Sequence, residues 1–224
     1  MPDRVKVKIC GLTRREDVEM AVELGADYVG VVLTAGFGRS VDRDAAPELV
    51  RDVLATPVAV LVDEDLEAAA SLAKTLGAGV VQLHGGEPPE VAEALRALGP
   101  WKVWKAVRVR TPSDVTDALD RYGSVVDGIL LEGWKEGVVG GGGAQADFAV
   151  LEEVRGAVSD DLTLVLAGGL TPANVAEGVA RVRPSVVDVS SGVEEVPGKK
   201  ARVLVQRFIE EAHKGLFPPH GVLR

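Results

Sequence analysis

The single cysteine of this 224-residue chain, Cys10, follows a short β-branched segment and precedes Gly11, so it stands where a strand passes into a loop. In barrels of alternating strands and helices, that end of the strands carries the chemistry. A free cysteine is also among the residues most often buried as a small hydrophobe. Position alone therefore leaves two interpretations of Cys10: a catalytic thiol or a buried structural residue. Lys8 points to the same side of the strand and would favour the thiolate if its ammonium group lies close.

Glu132 is the carboxyl group best placed to act with this thiol. It ends the apolar segment 128–131, so in a barrel it would face the same mouth as Cys10. Burial at the end of an apolar strand raises the pKa of a carboxyl group by desolvation, which suits a general acid. We therefore expect Glu132 to be an acid with a raised pKa, the alternative being a solvated loop glutamate.

Two small, glycine-containing segments end the last two predicted strands, at residues 166–171 and 188–193. Loops after strands seven and eight are the usual phosphate site of this kind of barrel, because glycine N–H groups, serine hydroxyls and a short helix N-terminus meet there. Turn formation alone would also explain the glycines. The sequence favours phosphate binding and hence a phosphorylated small-molecule substrate, held by Gly168, Gly169, Ser190, Ser191 and Gly192.

Two further side chains follow predicted strands. Arg39 lies in the loop after the second strand, where a guanidinium group could hold a substrate carboxylate through two parallel hydrogen bonds. Surface arginines are common, so a solvated position is the alternative. His84 ends the fourth strand, and contact with a ligand and a structural hydrogen bond are equally compatible with that place.

The elements that position these residues alternate strictly between strand and helix patterns. Apolar segments cover residues 5–9, 28–33, 58–62, 80–83, 101–106, 128–131, 163–167 and 185–189. Helix-patterned stretches begin near Arg15 and cover 45–54, 66–76, 90–98, 113–122, 148–158, 174–182 and 199–214. Near-continuous apolar strands are typical of a parallel sheet covered on both faces. Eight such units predict a single (β/α)8 TIM barrel over residues 1–214, with its active site at the carboxyl ends of the strands and a tail over 215–224.

Composition narrows the function classes. The net charge of −9 gives no general attraction to nucleic acid or to an anionic membrane. No apolar run approaches the length of a membrane span, and the start of the chain lacks the apolar region of a signal peptide, so we expect a cytoplasmic protein. One cysteine and three dispersed histidines make a metal site unexpected. The glycine run Gly140–Gly143 is either filler or a lid that lets backbone approach a ligand.

Taken together, these segments resemble the phosphoribosylanthranilate isomerase family of tryptophan biosynthesis over nearly the whole barrel. The motifs that carry the resemblance are Lys8-Ile9-Cys10-Gly11-Leu12, Gln82-Leu83-His84-Gly85, Lys105-Ala106-Val107-Arg108-Val109, Ala167-Gly168-Gly169-Leu170 with Asn174-Val175, and Asp188-Val189-Ser190-Ser191-Gly192-Val193-Glu194.

The resemblance implies an aldose–ketose isomerase of the intramolecular oxidoreductase class. Such an enzyme converts N-(5-phosphoribosyl)anthranilate to 1-(2-carboxyphenylamino)-1-deoxyribulose 5-phosphate, the third step from chorismate to tryptophan, by an Amadori rearrangement without a cofactor. By position, Cys10 is then the general base that takes the proton from C2 of the ribose. Glu132 is the general acid that protonates the ring oxygen, where the family has an aspartate, and Arg39 binds the anthranilate carboxylate.

Two other functions stay open on the sequence. One is a related sugar-phosphate isomerase, although that chemistry usually employs two aspartates and Cys10 occupies one of their places. The other is a non-catalytic phosphate-binding barrel. Both monomers and homodimers occur in the family, so the sequence leaves the oligomeric state open.

Overall fold

The computed structural model describes residues 4–133 and 147–215, and its central feature is a closed barrel of eight parallel strands. Each strand pairs with the next along the chain, and β8 closes the ring onto β1, with Lys8 beside Asp188 in the register. The predicted (β/α)8 barrel is confirmed. The strands are β1 (Lys6–Ile9), β2 (Tyr28–Val32), β3 (Thr56–Leu61), β4 (Val80–Leu83), β5 (Lys102–Val109), β6 (Gly128–Gly133), β7 (Thr163–Leu166) and β8 (Val186–Val189).

The helices surround the barrel and mostly agree with the predicted stretches. They begin through local signals, such as the Asp65 side chain that accepts a hydrogen bond from the backbone N–H of Ala68. They are α1 (Arg15–Glu23), α2 (Ala46–Val50), α3 (Leu66–Leu76), α4 (Pro89–Ala97), α5 (Pro112–Tyr122), α6 (Phe148–Val154), α7 (Val175–Val182) and α8 (Arg202–Lys214), with 3-10 turns at Arg155–Ala157 and Ser191–Val193.

The prediction of a last helix from residue 199 was wrong at its start. A two-stranded hairpin, β9 (Glu194–Val196) and β10 (Lys199–Lys200), precedes α8. Gly198 adopts a positive φ of 83°, which allows the tight turn between the two strands. Lys200 pairs with Glu194 in this hairpin. Residues 199 and 200, which the sequence predicted as the start of the last helix, are therefore the second strand of the hairpin. The predicted helix over 45–54 is also shorter, ending at Val50.

Alternation along each strand separates two apolar regions. On β6, Ile129 and Leu131 pack outward against the helices, whereas Leu130 belongs to the smaller cluster inside the barrel that also contains Cys10 and Trp104. All three β6 side chains are buried, and burying one such side chain stabilises the fold by about 1.5–3 kcal/mol. Glu132 lies two residues beyond Leu130 and therefore shares its inward face. Strand register thus directs both candidate catalytic side chains to the barrel interior.

The described ranges bear on two of the remaining expectations. Within them no helix is long and apolar enough to cross a membrane. They also contain no group of three or more His, Cys, Asp or Glu residues arranged to hold a metal ion. The extents of the barrel over 1–214 and of the tail over 215–224 stay predictions, and the run Gly140–Gly143 lies outside the described residues.

Candidate active site

Cys10 continues the barrel ladder at the carboxyl end of β1, where its backbone N–H donates to the carbonyl oxygen of Val189 at 2.8 Å. Gly11 then turns the chain with a positive φ of 67°. Facing the thiol is Gly30 of β2. A Cβ atom on Gly30 would lie 2.9 Å from the Cys10 sulfur and 3.2 Å from Cε of Lys8. The absence of a side chain at Gly30 therefore gives the thiol and the lysine stem room to lie side by side.

A fully buried ion pair lies beneath the thiol. Nζ of Lys8 lies 3.0 Å from Oδ2 of Asp188 on the adjacent strand, and the other oxygen of Asp188 has no hydrogen-bond partner among the described residues. Burial alone would lower the pKa of Lys8, but its interactions with neighbouring groups, led by the charge of Asp188, raise the pKa overall, so the lysine is a cation.

This environment keeps Cys10 protonated at rest. Burial is the largest influence and raises the pKa of the thiol, Lys8 opposes it, and Asp188 reinforces it. The expected effect of Lys8 is thus present in direction but is outweighed by desolvation. A general base at this position would first have to lose the thiol proton.

Glu132 is buried at the carboxyl end of β6, with Oε1 3.3 Å from Nε2 of His84 and 3.3 Å from Nε of Arg108. Arg108 is its direct neighbour in the β5–β6 register. Burial would raise the pKa of Glu132, yet His84 and Arg108 together lower it. The expectation of a raised pKa was therefore wrong, because two side chains from neighbouring strands stabilise the carboxylate more than burial destabilises it.

Arg39 is bound by a carboxylate of the protein itself. Its Nε and Nη2 donate to the two oxygens of Glu194 at 2.7 and 2.6 Å, and the same carboxylate accepts from Nζ of Lys200 at 2.9 Å. Burial would raise the pKa of Glu194, but hydrogen bonds from Arg39 and Lys200 lower it to about 2. Among the described residues, the side-on pairing leaves the Nη1–Nη2 edge of Arg39 able to donate to a second carboxylate.

The two predicted phosphate loops meet through close backbone contact. Gly168 and Gly169 both have positive φ angles, 87° and 62°, and Asn174 ties the loop through a hydrogen bond from its amide to the carbonyl of Gly169 at 3.0 Å. A Cβ atom on Gly192 would overlap the carbonyl oxygen of Leu170, so glycine is required for the loops after β7 and β8 to pack together. Ser191 and Gly192 form a short 3-10 turn.

Gly11 marks where three of these loops converge. A Cβ atom there would lie 2.5 Å from Cδ of Arg39 and 2.8 Å from Oγ of Ser190. The structure therefore brings Cys10, Arg39 and Ser190 to one side of the mouth. Glu132, with His84 and Arg108, forms a second group on the inner face of β4 to β6.

Sequence reasoning gave no role to several polar residues of the mouth. Gln82, Arg108 and Asp188 stand on the inner face two residues from other inward side chains, so strand alternation was the signal that could have found them. No sequence pattern indicated that Glu194 and Lys200 lie at the mouth, because the hairpin that positions them was not predicted.

This fold and mouth define an enzyme of the (β/α)8-barrel class whose site combines a buried thiol, a carboxyl group and two glycine-rich loops. Residues 7–211 match the family model described as N-(5'-phosphoribosyl)anthranilate (PRA) isomerase. The isomerase of Geobacter sp. (strain M21) is 42% identical over 211 residues, which cover 93% of this chain and 98% of that protein.

Solved structures give the same result. The phosphoribosyl anthranilate isomerase of Thermotoga maritima, which is described as dimeric, superposes with a TM-score of 0.84 at 36% identity, covering 93% of this chain and 98% of that one. An isomerase in complex with reduced 1-(o-carboxyphenylamino)-1-deoxyribulose 5-phosphate has a TM-score of 0.81 at 35% identity, with the same coverage. The chain belongs to the N-(5'-phosphoribosyl)anthranilate isomerase family. The isomerase function in tryptophan biosynthesis expected from the sequence is thereby confirmed.

Proposed function

We propose that this mouth rearranges N-(5-phosphoribosyl)anthranilate with Cys10 as general base and Glu132 as general acid. The observation that carries the proposal is their placement around the ring. Cys10 directly follows β1 and Glu132 lies near the end of β6, both on the inner face, and the strands between them along the shorter way round the closed barrel are β8 and β7. The loops proposed to bind phosphate therefore lie between the proposed base and the proposed acid.

The substrate's two anionic ends have separate partners in this proposal. Backbone N–H groups of Gly168, Gly169 and Gly192, with the hydroxyls of Ser190 and Ser191, hold the phosphate. The free edge of Arg39 holds the anthranilate carboxylate, because Glu194 occupies only Nε and one hydrogen of Nη2. Binding both ends fixes the ribose between them, and orientation of this kind lowers the entropic part of the barrier.

Glu132 acts first. Its carboxyl proton moves to the ring oxygen as the bond from that oxygen to C1 breaks, and the nitrogen lone pair forms an iminium ion at C1. Cys10 then takes the proton from C2, the C–H electron pair forms the C1–C2 double bond, and an enolamine results. This step requires the thiolate, which forms when the thiol loses its proton to solvent before the substrate binds, and the ammonium group of Lys8, adjacent to the sulfur, balances its charge. Return of the proton to C1, with loss of the 2-hydroxyl proton, gives the ketone.

Substitution of the two residues tests the assignment. Cys10→Ala and Glu132→Gln should each lower kcat by about 10²–10⁴-fold while binding of the reduced product analogue changes little, since general acid–base groups act in the transition state. Glu132→Asp is the informative companion, because it keeps the carboxyl but withdraws it by one methylene. Retention of most activity by Glu132→Gln would refute its role as the acid. Complementation of a tryptophan auxotroph that lacks the isomerase provides the matching test in cells.

The assembly and location of the protein belong to the same proposal. The chain acts as a monomer or a homodimer, and light scattering of the purified protein distinguishes the two. A cytoplasmic location stays a prediction from the sequence.

A further inference from the structure

His84 stands directly after β4 with both ring nitrogens close to polar partners. Its Nε2 lies 3.3 Å from Oε1 of Glu132, without the alignment of a hydrogen bond, and its Nδ1 lies 2.7 Å from the side-chain nitrogen of Gln82. All three side chains are buried or nearly so. The amide oxygen of Gln82 has no hydrogen-bond partner in the described part of the chain. The imidazole thus links the proposed acid to a buried amide with an unused acceptor.

A general acid must carry a proton when the substrate binds. His84 and Arg108 lower the pKa of Glu132, so its carboxyl group is ionised at neutral pH and needs a proton from a neighbouring group before it can act as the acid. Imidazole is the side chain that ordinarily gains and loses a proton between pH 5 and 8. The 3.3 Å contact between Nε2 of His84 and Oε1 of Glu132 is short enough for a proton to pass between the two side chains.

We propose that His84 is a positioning residue for the general acid, storing the proton that Glu132 passes to the ring oxygen, and that Gln82 orients its ring. The inference rests on the proposed role of Glu132. As the ring C–O bond breaks, the ring oxygen gains the carboxyl proton, and the carboxylate has received that proton from Nε2 of His84. The pair recovers a proton when the 2-hydroxyl of the enolamine loses its own, so the proton count closes over the cycle.

Gln82 suits both protonation states of the ring. A neutral ring protonated at Nε2 accepts a hydrogen bond at Nδ1 from the Gln82 NH₂ group. A doubly protonated ring instead donates from Nδ1, and rotation of the amide by half a turn presents the Gln82 oxygen that now lacks a partner. A glutamate at position 82 would favour the charged ring, and an apolar residue would favour neither state.

Other charged groups near the end of β4 are already paired. Arg108 contacts the same oxygen of Glu132. Lys105 on β5 forms an ion pair with Glu87 at 3.0 Å and donates to the carbonyl of Gly85 at 2.7 Å. Asp63, after β3, accepts from the backbone N–H of Gly86 at 2.6 Å. His84 and Glu132 are therefore the facing titratable pair on the inner side of this strand end.

The test compares kcat and KM of His84→Asn, Gln82→Glu and the parent between about pH 5.5 and about pH 8.5. The deficit in kcat of His84→Asn relative to the parent should be smallest at the acid end and should widen as the pH rises, because a lone carboxyl loses its proton at a lower pH than a carboxyl backed by an imidazole does. At its widest, the deficit in kcat should be about tenfold for each pKa unit by which the lone carboxyl of His84→Asn holds its proton less tightly than the carboxyl–imidazole pair of the parent does. The ratio of Gln82→Glu to the parent should instead rise with pH, and KM should stay within about twofold for both. His213→Asn on α8 is the control, with no change in pH dependence.

A loss in His84→Asn that is the same at every pH would overturn the inference, since that is the effect of a structural role alone. An unchanged pH profile in Gln82→Glu would overturn it as well, even if His84→Asn failed to fold. Full activity of Glu132→Gln would instead refute the proposed acid. The two failures are therefore distinguishable.

Discussion

The carboxylate of Glu194 accepts hydrogen bonds from both Nε and Nη2 of Arg39, two residues that are 155 positions apart in the sequence. The pair joins the loop after β2 to the hairpin after β8. Lys200, whose side chain is fully buried, binds the same carboxylate and also donates to the carbonyl of Ser190 at 3.1 Å. Glu194 therefore determines where Arg39 lies relative to the proposed phosphate loop.

Substitution of Glu194 by glutamine should weaken substrate binding more than it slows the reaction. The amide keeps the shape but removes the charge that orients the guanidinium group, so we expect KM to rise about tenfold and kcat to change by less than about threefold. Steady-state kinetics measures both. Glu23→Gln is the matched control, because Glu23 forms a similar two-bond pair with Arg202 on the exposed outer surface. An equal effect of both substitutions would contradict the role of Glu194.

The same residue predicts part of the acid sensitivity of the fold. Hydrogen bonds from Arg39 and Lys200 lower the pKa of Glu194 from its ordinary value of 4.5 to about 2. A lowered pKa stabilises the folded state above the ordinary value, and the contribution disappears as pH falls from there through the folded-state value. The difference in unfolding free energy between the parent and Glu194→Gln should therefore shrink as the pH falls below 4.5. Urea titrations at a series of acidic pH values measure it, and a constant difference would contradict the prediction.

Gly30→Ala should impair catalysis although it adds only one methyl group. The new carbon would lie 2.9 Å from the sulfur of Cys10 and 3.2 Å from its Cα, closer than side-chain atoms normally approach. Displacement of the thiol from its reacting position should lower kcat by about 10²-fold, since such misplacement is costly in enzyme sites. Gly156→Ala serves as the control, because nothing lies within 4 Å of the added carbon there. Unchanged kinetics in Gly30→Ala would show that the thiol has room to move.

Lys8→Met should destabilise the barrel and suppress the thiolate together. Removal of the ammonium group leaves Asp188 buried without its partner, which costs about 3–5 kcal/mol of unfolding free energy. It also removes the charge that opposes the raised pKa of Cys10, so alkylation of the thiol should require a higher pH. Urea titration and the pH dependence of alkylation are the two measurements.

A second variant separates charge from packing in this prediction. Lys8→Met combined with Asp188→Asn removes both charges and should be more stable than Lys8→Met alone, because no unpaired charge remains. Equal stability of the single and double variants would contradict the assignment of a buried ion pair.

Much of the fold was predictable because its signals are local. The β-branched segments are separated by amphipathic stretches, and the limits of α3 at residues 66 and 76 agree with the structure. The hairpin before α8 was not predictable in this way. Its residues have no period that distinguishes them from a helix start, and their conformation depends on Glu194, Lys200 and the turn at Gly198.

The sequence by itself determined that the chain forms eight strand–helix units, that Cys10 and Glu132 lie at the ends of two strands and that Arg39 lies in the loop after a third, because these properties depend on residue type and spacing along the chain. The tertiary structure alone decided in which direction the pKa values of Cys10 and Glu132 shift. The pKa of Glu132 is lowered and that of Cys10 is raised by side chains on neighbouring strands and by burial in the closed barrel. Electrostatic interactions depend on distance and solvent exposure in the folded molecule, and residues far apart in the sequence establish both.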